Sequence, residues 1–419
     1  STTYSITAFS LDTLVSDLAL DQTYQIDIPE GFIVDSAGTS YAGTAYTFTA
    51  TAAIGKLWAW GGASNGELGL NAPGSKSSPV QVPGVSWASL AQGGTKTNNY
   101  GYAAINTLGE LYGWGYNYNG RLLENNIGVS ISSPIQIPGT WKAASNSYGT
   151  IMASKADGTL WSWGYNYMGQ LGQNQASSSG SNSYSSPVQI PGTNWTGAKD
   201  TFISGRINSF AIKTNGQLWV WGYNDRGQLG DNSIASKSSP VQIPGTTWSK
   251  VSSAQASTAA IKTDGTLWVW GHNDEGSLGL NQVHNAKVSS PVQLPGTTWK
   301  QTTQGASGMV AIKTDGTMWA WGKNGNGELG VNSRTSYSSP VQVPGTTWNK
   351  VEMGNQHVIA NKTDGTLWTW GGNSGGQLGI SISDNVHRSS PVQVPGTEWI
   401  SDVGAGDYSS FAIQEDSSP

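Results

Sequence analysis

The segment AIKTNGQLWVWGYNDRGQLG, residues 211–230, and the segment SSPVQIPGTTW, residues 238–248, together decide the fold of this chain. Related copies recur along the sequence at steps of 54, 49, 58, 49, 51 and 49 residues. A unit repeated at this spacing is typical of repeat proteins, in which each unit packs mainly against its neighbours. The copies of the GQLWVWG core begin at Gly55, Gly109, Gly158, Gly216, Gly265, Gly316 and Gly365.

Each unit predicts four short strands, a to d. Strand a follows PG-Trp, strand b is the AIK stretch, strand c is LWVWG and strand d is PVQIP. Pairs such as Asp264-Gly265 stand between b and c, and Asp-Gly or Asn-Gly pairs favour two-residue hairpins. Strand c is apolar on both faces, which is typical of a strand covered on both sides. A propeller blade meets that condition, so we predict an all-β, seven-bladed β-propeller of four-stranded blades over residues 54–416.

The two ends of the repeat region predict how the ring closes. The last stretch, SDVGAGDYSSFAIQED at residues 401–416, has the pattern of strands a and b of an eighth unit that stops at the hairpin turn. The first unit begins at Gly55, on the far side of the same turn. We therefore predict that the C-terminal strands pair with the first repeat in one composite blade, which leaves no strand edge open.

The repeat also accounts for most of the unusual composition. All 20 Trp fall in the seven units, and 14 of the 17 Pro lie in the SPxQxPG segments. These residues are therefore interpreted as core and turn residues. The Asn of each WGxN motif recurs just as regularly, and we expect it to bond the turn backbone.

Residues 1–53 lack the repeat but alternate as strands do, in YSITAFSL, TYQIDIP, FIVDSAG and AYTFTATA. The stretch from IPEGFIVDSAG to AYTFTAT resembles the C-terminal part of a bacterial immunoglobulin-like surface domain, which in full takes about 100 residues. We predict a β-rich N-terminal arm. It is either such an Ig-like fragment, docked on the propeller or on a partner chain, or an ordered leader with edge strands only.

Composition and motif spacing argue against most catalytic and metal-dependent functions. The chain has no Cys, which removes disulfides, thiolate metal sites and Cys nucleophiles. Its four His show no metal-ligand spacing, and no nucleophile elbow, calcium loop or phosphate-binding loop is present. The net charge is −5 and the 21 Lys and Arg never run together, which argues against nucleic-acid binding. No apolar stretch is long enough for membrane insertion. We predict no enzyme, no cofactor, and no catalytic or metal-binding residue.

The motif WGxNxxGQLG, preceded by DGxLWxW, is similar to the repeat of the regulator of chromosome condensation family, over roughly residues 54–416. The resemblance implies the seven-bladed propeller of that family. In the eukaryotic founder the propeller is a nucleotide-exchange factor for a small GTPase on chromatin, whereas similar propellers serve as enzyme inhibitors, adhesive surfaces and scaffolds. This chain lacks a basic tail, and only His357 fills the place before strand b where the family often has His. GTPase exchange and enzyme inhibition remain as alternatives.

Irregular loops are concentrated on one face of the predicted ring. The a–b and c–d loops leave from this loop face, whereas the b–c hairpins and the d–a turns leave from the opposite hairpin face. The c–d loop ranges from 7 to 12 residues, the longest being residues 173–184, and insertions precede repeats two and four. Tyr, Ser and Asn in such loops suit recognition. We predict a binding sector in repeats two to four that contains Asn99, Tyr100, Tyr116, Tyr118, Tyr165, Tyr167, Tyr184 and Tyr223. The alternative is that these tyrosines cover the blade rim and that the insertions are neutral.

The sequence therefore favours a non-enzymatic binding module that works outside the cytoplasm, on a cell or virion surface. The start at Ser1 without Met, the uncharged polar loops and the Ig-like likeness favour a processed, extracellular chain. Its expected role is adhesion, receptor recognition or coating, with a protein or glycan on a surface as the partner. A carbohydrate-binding lectin is the first alternative.

Overall fold

A computed structural model describes residues 23–28, 44–49, 55–84, 86–93, 101–117, 120–122, 128–175, 183–205, 207–254, 256–282, 286–381, 386–399 and 401–415. The chain divides into two compact units, Ser1–Ile54 and Gly55–Pro419. In the first unit, β1 (Thr23–Ile28) pairs antiparallel with β2 (Thr44–Thr49). Whether this pair belongs to an Ig-like fragment stays a prediction.

The second unit is a seven-bladed β-propeller of four-stranded antiparallel blades, which confirms the predicted fold. Its strands are β3 (Gly55–Gly61), β4 (Lys76–Gln81), β5 (Trp87–Leu90), β6 (Gln92–Gly93), β7 (Gly101–Asn106), β8 (Glu110–Tyr116), β9 (Ser130–Thr140), β10 (Ala143–Asn146), β11 (Thr150–Ser154), β12 (Leu160–Gly164), β13 (Tyr184–Gln189), β14 (Phe202–Ser204), β15 (Asn208–Ile212), β16 (Leu218–Gly222), β17 (Lys237–Gln242), β18 (Trp248–Ser253), β19 (Ser257–Lys262), β20 (Leu267–His272), β21 (Lys287–Gln293), β22 (Trp299–Gln304), β23 (Gly308–Lys313), β24 (Met318–Gly322), β25 (Tyr337–Val343), β26 (Trp348–Met353), β27 (His357–Lys362), β28 (Leu367–Gly371), β29 (Arg388–Val394), β30 (Val403–Ala405) and β31 (Ser409–Glu415).

The blades follow the repeats, numbered 1 to 7 in chain order. Blade 1 has the strand order β30-β31-β3-β4, blade 2 β5-β7-β8-β9, blade 3 β10-β11-β12-β13 and blade 4 β14-β15-β16-β17. Blades 5, 6 and 7 continue as β18 to β21, β22 to β25 and β26 to β29. One addition departs from the repeat, because β6 pairs in parallel with β10 and gives blade 3 a fifth strand.

Blade 1 joins the two ends of the repeat region. Strand β3 pairs along its whole length with β31, so that Gly55 lies opposite Glu415 and Gly61 lies opposite Ser409. The predicted closure by the C-terminal strands is therefore confirmed. Because β31 supplies the strand that the first repeat lacks, the ring closes through hydrogen bonds between residues far apart in the sequence.

The hydrophobic core lies between the blades. In β20, Leu267 and Val269 contact the side chains of blade 6, whereas Trp270 packs on the aliphatic face of blade 4. The same arrangement gives one buried cluster at each of the seven blade interfaces among the described residues. The apolar character of both faces of strand c, visible in the sequence, is thus explained by burial on both sides.

The second Trp of each strand c also makes a hydrogen bond to the preceding blade. Trp270 is fully buried, and its Nε1 donates to the carbonyl of Gln228 at 2.9 Å. The hydrogen bond fixes the stagger between neighbouring blades, since it joins strand c of one blade to the turn that follows strand c of the preceding blade. The six equivalent pairs are Trp60–Gln377, Trp114–Glu67, Trp163–Arg121, Trp221–Gln170, Trp321–Ser277 and Trp370–Glu328.

The b–c hairpins carry a short chain of hydrogen bonds. In blade 5, Asp264 Oδ1 accepts from the backbone N–H of Thr266 at 3.0 Å and from its hydroxyl at 2.7 Å. The same hydroxyl oxygen accepts from Trp268 Nε1 at 2.9 Å. The turn Asp is therefore a structural acceptor, as the hairpin pattern predicts. Equivalent chains start at Asp157, Asp315 and Asp364.

These hairpins predict a measurable response to acid. The backbone N–H and the hydroxyl of the Thr two residues later hold the pKa of each turn Asp below its ordinary value. The hydrogen bond from the hydroxyl is the larger cause at Asp264, and the one from the backbone N–H is the larger cause at Asp315. A lowered folded pKa stabilises the fold above the unfolded pKa of about 3.9, and this contribution is lost as pH falls through the folded values. We expect a variant with Asp264→Asn, Asp315→Asn and Asp364→Asn to lose less thermal stability between pH 5 and pH 3 than the wild type.

Circular dichroism melts at stepped pH measure that difference. Repeat four supplies a natural precedent for the substitution, because Asn215 fills the same place and accepts from Gln217 N at 3.2 Å. Parallel pH profiles of the triple variant and the wild type would show that these carboxylates do not contribute to the acid response.

Candidate binding face

The WGxN turn at the end of strand c positions the first side chain of the loop face. In blade 4, Gly222 has a φ of 98°, and a Cβ there would lie 2.5 Å from the carbonyl oxygen of Ile207. Tyr223 N donates to that same oxygen at 2.8 Å, which holds Tyr223 beside the a–b loop. Asn224 Oδ1 accepts from Leu229 N at 2.9 Å and closes the turn. The predicted role of the recurring Asn is confirmed at Asn117, Asn166, Asn224, Asn273, Asn324 and Asn373.

Within the described residues, the base of the c–d loop is latched to the next blade in six of the seven blades. Asn232, with a φ of 60°, donates its N–H to the Ser289 carbonyl at 2.8 Å, and its Oδ1 accepts from Ser290 Oγ at 3.2 Å. Loops of different length therefore start from a fixed base on the ring. The backbone latch also occurs in the pairs Asn71–Ser132, Asn174–Ser238, Asn281–Ser338, Asn332–Ser389 and Ser381–Ser77.

Three tyrosines form an aromatic row on blade 3. The rings of Tyr165 and Tyr167 are stacked, with centroids 6.1 Å apart and an interplanar angle of 5°. Tyr148, from the a–b loop of the same blade, meets Tyr165 edge-on at 6.2 Å. All three are half-buried, so each keeps part of its ring in contact with solvent. Aromatic pairs held this way are rigid, and they present an apolar surface with polar hydroxyl edges.

Blade 2 fixes Tyr116 with a buried arginine. Arg121 stands where most repeats have Gln or Glu, and only 2% of it is exposed. Its Nε and Nη2 donate to the Tyr116 carbonyl at 3.0 and 2.6 Å, and its Nη1 donates to the Ser147 carbonyl at 3.0 Å. Burial lowers the pKa of Arg121 to about 10, which leaves it charged at neutral pH. The arginine thus ties the Tyr116 turn to the loop that carries Tyr148.

Tyr184 has a different position from the other described tyrosines of the predicted sector. It lies on β13, the outer strand of blade 3, opposite Gly164. Its ring packs against the hydrophobic cluster that contains Trp163, and its hydroxyl donates to Gln175 Oε1 at 2.8 Å. The structure places Tyr184 on the rim of the blade, whereas Tyr116, Tyr165 and Tyr223 stand at the end of strand c on the loop face.

Next to Tyr223, a cavity of about 390 Å³ opens between blades 4, 5 and 6. Tyr223, Arg226 and His272 line it together with Asp225 and Asp274. Arg226 Nη1 lies 3.2 Å from His272 Nε2, and its Nε lies 3.5 Å from Asp225 Oδ2. The cavity therefore combines a phenol, a guanidinium, an imidazole and two carboxylates on one side of the ring.

The electrostatics of this cavity favour a neutral imidazole beside a charged guanidinium. Burial, and then the charge of Arg226, lower the pKa of His272. With His272 neutral, Arg226 donates to Nε2 and the ring proton stays on Nδ1. A hydrogen bond to Asp225 raises the pKa of Tyr223, so its phenol stays protonated. These groups offer donors and an aromatic ring to a polar ligand or to a side chain of a partner.

The structure gathers part of the predicted sector and adds residues to it. Asn99, Tyr100 and Tyr118 lie outside the described residues. Sequence reasoning missed Tyr148, Arg226 and His272, because it followed only the tyrosines after WG and the residues of the inserted or longest loops. One signal was available: the position after WG faces the same loop whatever residue fills it, so His272 is the counterpart of Tyr165 and Tyr223.

Over the part of the chain that the structure describes, no group of three or more His, Asp or Glu is arranged to hold a metal ion. A search of these same residues for a helix long and apolar enough to cross a membrane finds none.

Comparison with protein families identifies the repeat. The family model "Regulator of chromosome condensation (RCC1) repeat" matches residues 157–200, 215–261, 264–312, 315–360 and 364–413, which together cover more than half of the sequence. The chain belongs to the RCC1 repeat family. The RCC1 propeller is a protein-interaction fold, and propellers of this family are typically exchange factors or binding modules.

Solved structures show the same fold at low identity. Human WBSCR16 is 18% identical with a TM-score of 0.76, and the match covers 87% of this chain and all of that one. Yeast RCC1 (Prp20), solved bound to Kap60, is 18% identical with a TM-score of 0.75 and coverage of 87% and 90%. Prp20p from Saccharomyces cerevisiae, described with its binding to Gsp1p and histones, is 18% identical with a TM-score of 0.75, and the match covers 88% of this chain and 93% of that one. A search of curated protein sequences gave no significant match.

Proposed function

We propose that this RCC1-repeat chain is a non-catalytic binding module that recognises a protein partner with the loop face of blades 2 to 5. One observation carries the proposal: Tyr165, Tyr223 and His272 occupy the same position after WG in three successive blades. They therefore form a row of equivalent positions on blades 3, 4 and 5. The aromatic row of blade 3 contains Tyr165, and the cavity between blades 4, 5 and 6 is lined by Tyr223 and His272.

The chemistry of this row suits a protein partner. Tyrosine and arginine are enriched among the residues that dominate binding energy, because they combine large contact area with directed hydrogen bonds. The rings are already held by stacking and by turn hydrogen bonds, so little conformational entropy is lost when a partner binds. The surrounding loops are rich in Ser, Asn and Gly and carry few charges, which suits an adaptable polar rim.

We also propose that the binding takes place outside the cytoplasm, on a cell or virion surface, as adhesion, receptor recognition or coating. The uncharged polar loops and the Ig-like likeness of the N-terminal arm support this setting. Detection of the endogenous protein in intact-cell surface labelling or purified virions tests the location. Recovery only from the cytosol would contradict it.

The binding proposal predicts that Tyr165→Ala with Tyr223→Ala weakens binding at least tenfold, since aromatic anchors at an interface typically contribute about 2 kcal/mol or more. A partner captured by the wild-type chain and then purified serves for surface plasmon resonance. Tyr408→Ala is the matched control. It removes a tyrosine that is 40% exposed on the loop face of blade 1, across the ring.

Three other outcomes would contradict this proposal. Binding that is equal in the double variant and the wild type would place the interface elsewhere. Selective binding on a glycan array, lost in the double variant, would identify the row as a lectin site. Accelerated nucleotide release from a GTPase would show exchange activity instead.

A further inference from the structure

On the hairpin face, a second cavity of about 100 Å³ lies at the centre of the ring. Four lysines line it: Lys199, Lys250, Lys300 and Lys350, each near the start of strand a in blades 4, 5, 6 and 7. Lys and Arg number only 21 in the whole sequence. Four of them around one small opening are therefore a marked concentration of positive charge.

Three carboxylates share the cavity with these lysines. Asp402 of blade 1 contacts Lys199 of blade 4 across the ring, and its Oδ1 lies 3.8 Å from Lys350 Nζ. Asp200 Oδ2 lies 3.7 Å from Lys250 Nζ. The third carboxylate, Glu352, accepts from the Thr303 hydroxyl at 3.0 Å. Four lysines against three carboxylates leave one positive charge without a counterpart.

That excess charge is centred on Lys300. Its Nζ lies 3.5 Å from Asn349 Oδ1, and no carboxylate of the described residues lies within 4.0 Å of it. Partial burial is the main cause that lowers the pKa of Lys300, and the charges of Lys250 and Lys350 lower it further. An anion at this point would relieve the repulsion among the three lysines.

We infer that this central cavity binds a small oxyanion of the phosphate or sulfate class. A tetrahedral oxyanion offers several acceptor oxygens, so one ion can accept from more than one ammonium group. The volume of the cavity exceeds the space of about 10–15 Å³ that one water molecule needs, and it is far too small for a folded partner. The site lies on the opposite face from the row of Tyr165, Tyr223 and His272, so it is independent of the proposed binding function.

Thermal unfolding in phosphate and in sulfate, each matched to sodium chloride of equal ionic strength, tests this inference. A ligand that binds only the folded chain raises the melting temperature in a saturable way. We expect such a rise for wild type, and an affinity about tenfold weaker for Lys300→Gln, because one charge-assisted hydrogen bond is removed. Lys300→Arg retains the charge and should retain the rise. Lys287→Gln, on the exposed outer strand of blade 5, is the matched control.

Calorimetric titration distinguishes the source of the group. Binding of inorganic phosphate and of O-phosphoserine identifies an opening that admits a phosphate monoester, whereas binding of the inorganic ion alone identifies an enclosed ion site. Either result supports the inference. Equal melting temperatures in phosphate, sulfate and chloride would overturn it, as would overlapping titrations of Lys300→Gln and the wild type.

Discussion

Truncation of the chain after Asp402 is expected to abolish cooperative folding of the propeller. The deletion removes β30 and β31, so β3 loses the partner that pairs with it from Gly55 to Gly61. It also takes Phe411 and Ile413 out of the core between blades 1 and 2, and Val403 and Ala412 out of the core between blades 7 and 1. The packing of blade 1 is then incomplete against both of its neighbours, blade 2 and blade 7.

An open ring exposes apolar surface and an unpaired strand edge, which together favour aggregation. We expect the truncated protein to be insoluble, or to lack a cooperative transition in near-ultraviolet circular dichroism. The control is a chain that lacks only residues 416–419, which follow β31. Its melting temperature should equal that of the wild type. Cooperative melting of the longer truncation within a few degrees of the wild type would show that closure by β31 is dispensable.

A circular permutant gives a sharper control, since it changes connectivity and keeps every strand of the propeller. Gly55 lies opposite Glu415, and joining Asp416 directly to Gly55 creates the Asp-Gly pair found at four of the other hairpins. New ends can open in the longest c–d loop, residues 173–184. We expect this permutant of residues 55–416 to fold, because closure then depends on a covalent hairpin.

Most of the fold could be predicted because local rules repeat seven times. The Asp264-Gly265 pair predicts a hairpin from turn chemistry alone, and the alternation around Trp268 and Trp270 predicts a strand buried on both faces. The composite blade was also predicted from the sequence. Residues 401–416 stop at the hairpin turn after strand b, and the strand c that should follow this turn begins at Gly55. The short strand β6 was not predicted, because the insertion before repeat two has no repeat to compare it with.

The candidate sites were less predictable, because they depend on contacts between blades. Arg121 differs from the repeat pattern in the sequence, but only the structure shows that it is buried and holds the Tyr116 carbonyl. Lys199 and Asp402 are 203 residues apart and meet because the ring places blade 4 opposite blade 1. A pattern within one repeat carries no information on which blades face each other.

The largest expected effect of a single substitution is that of Trp270→Ala. Trp270 is fully buried between blades 4 and 5, and its Nε1 donates to the Gln228 carbonyl. Removing a buried indole leaves a cavity that neighbouring side chains fill only in part, and such changes cost about 3–5 kcal/mol. We expect the free energy of unfolding to fall by that amount in urea denaturation monitored by circular dichroism.

Two further variants separate packing from the hydrogen bond. Trp270→Phe keeps a ring and loses the donor, while the Thr258 hydroxyl still donates to the Gln228 carbonyl at 2.9 Å, so we expect a smaller loss than for alanine. Trp268→Ala removes the half-buried Trp on the same strand face. Its ring lies 4.2 Å from Lys262 Nζ and meets Trp248 edge-on, and its Nε1 donates to the Thr266 hydroxyl oxygen. Its loss should cost about 1–2 kcal/mol. Equal costs for Trp268→Ala and Trp270→Ala would show that contact with the preceding blade is not what makes the second Trp of each repeat important.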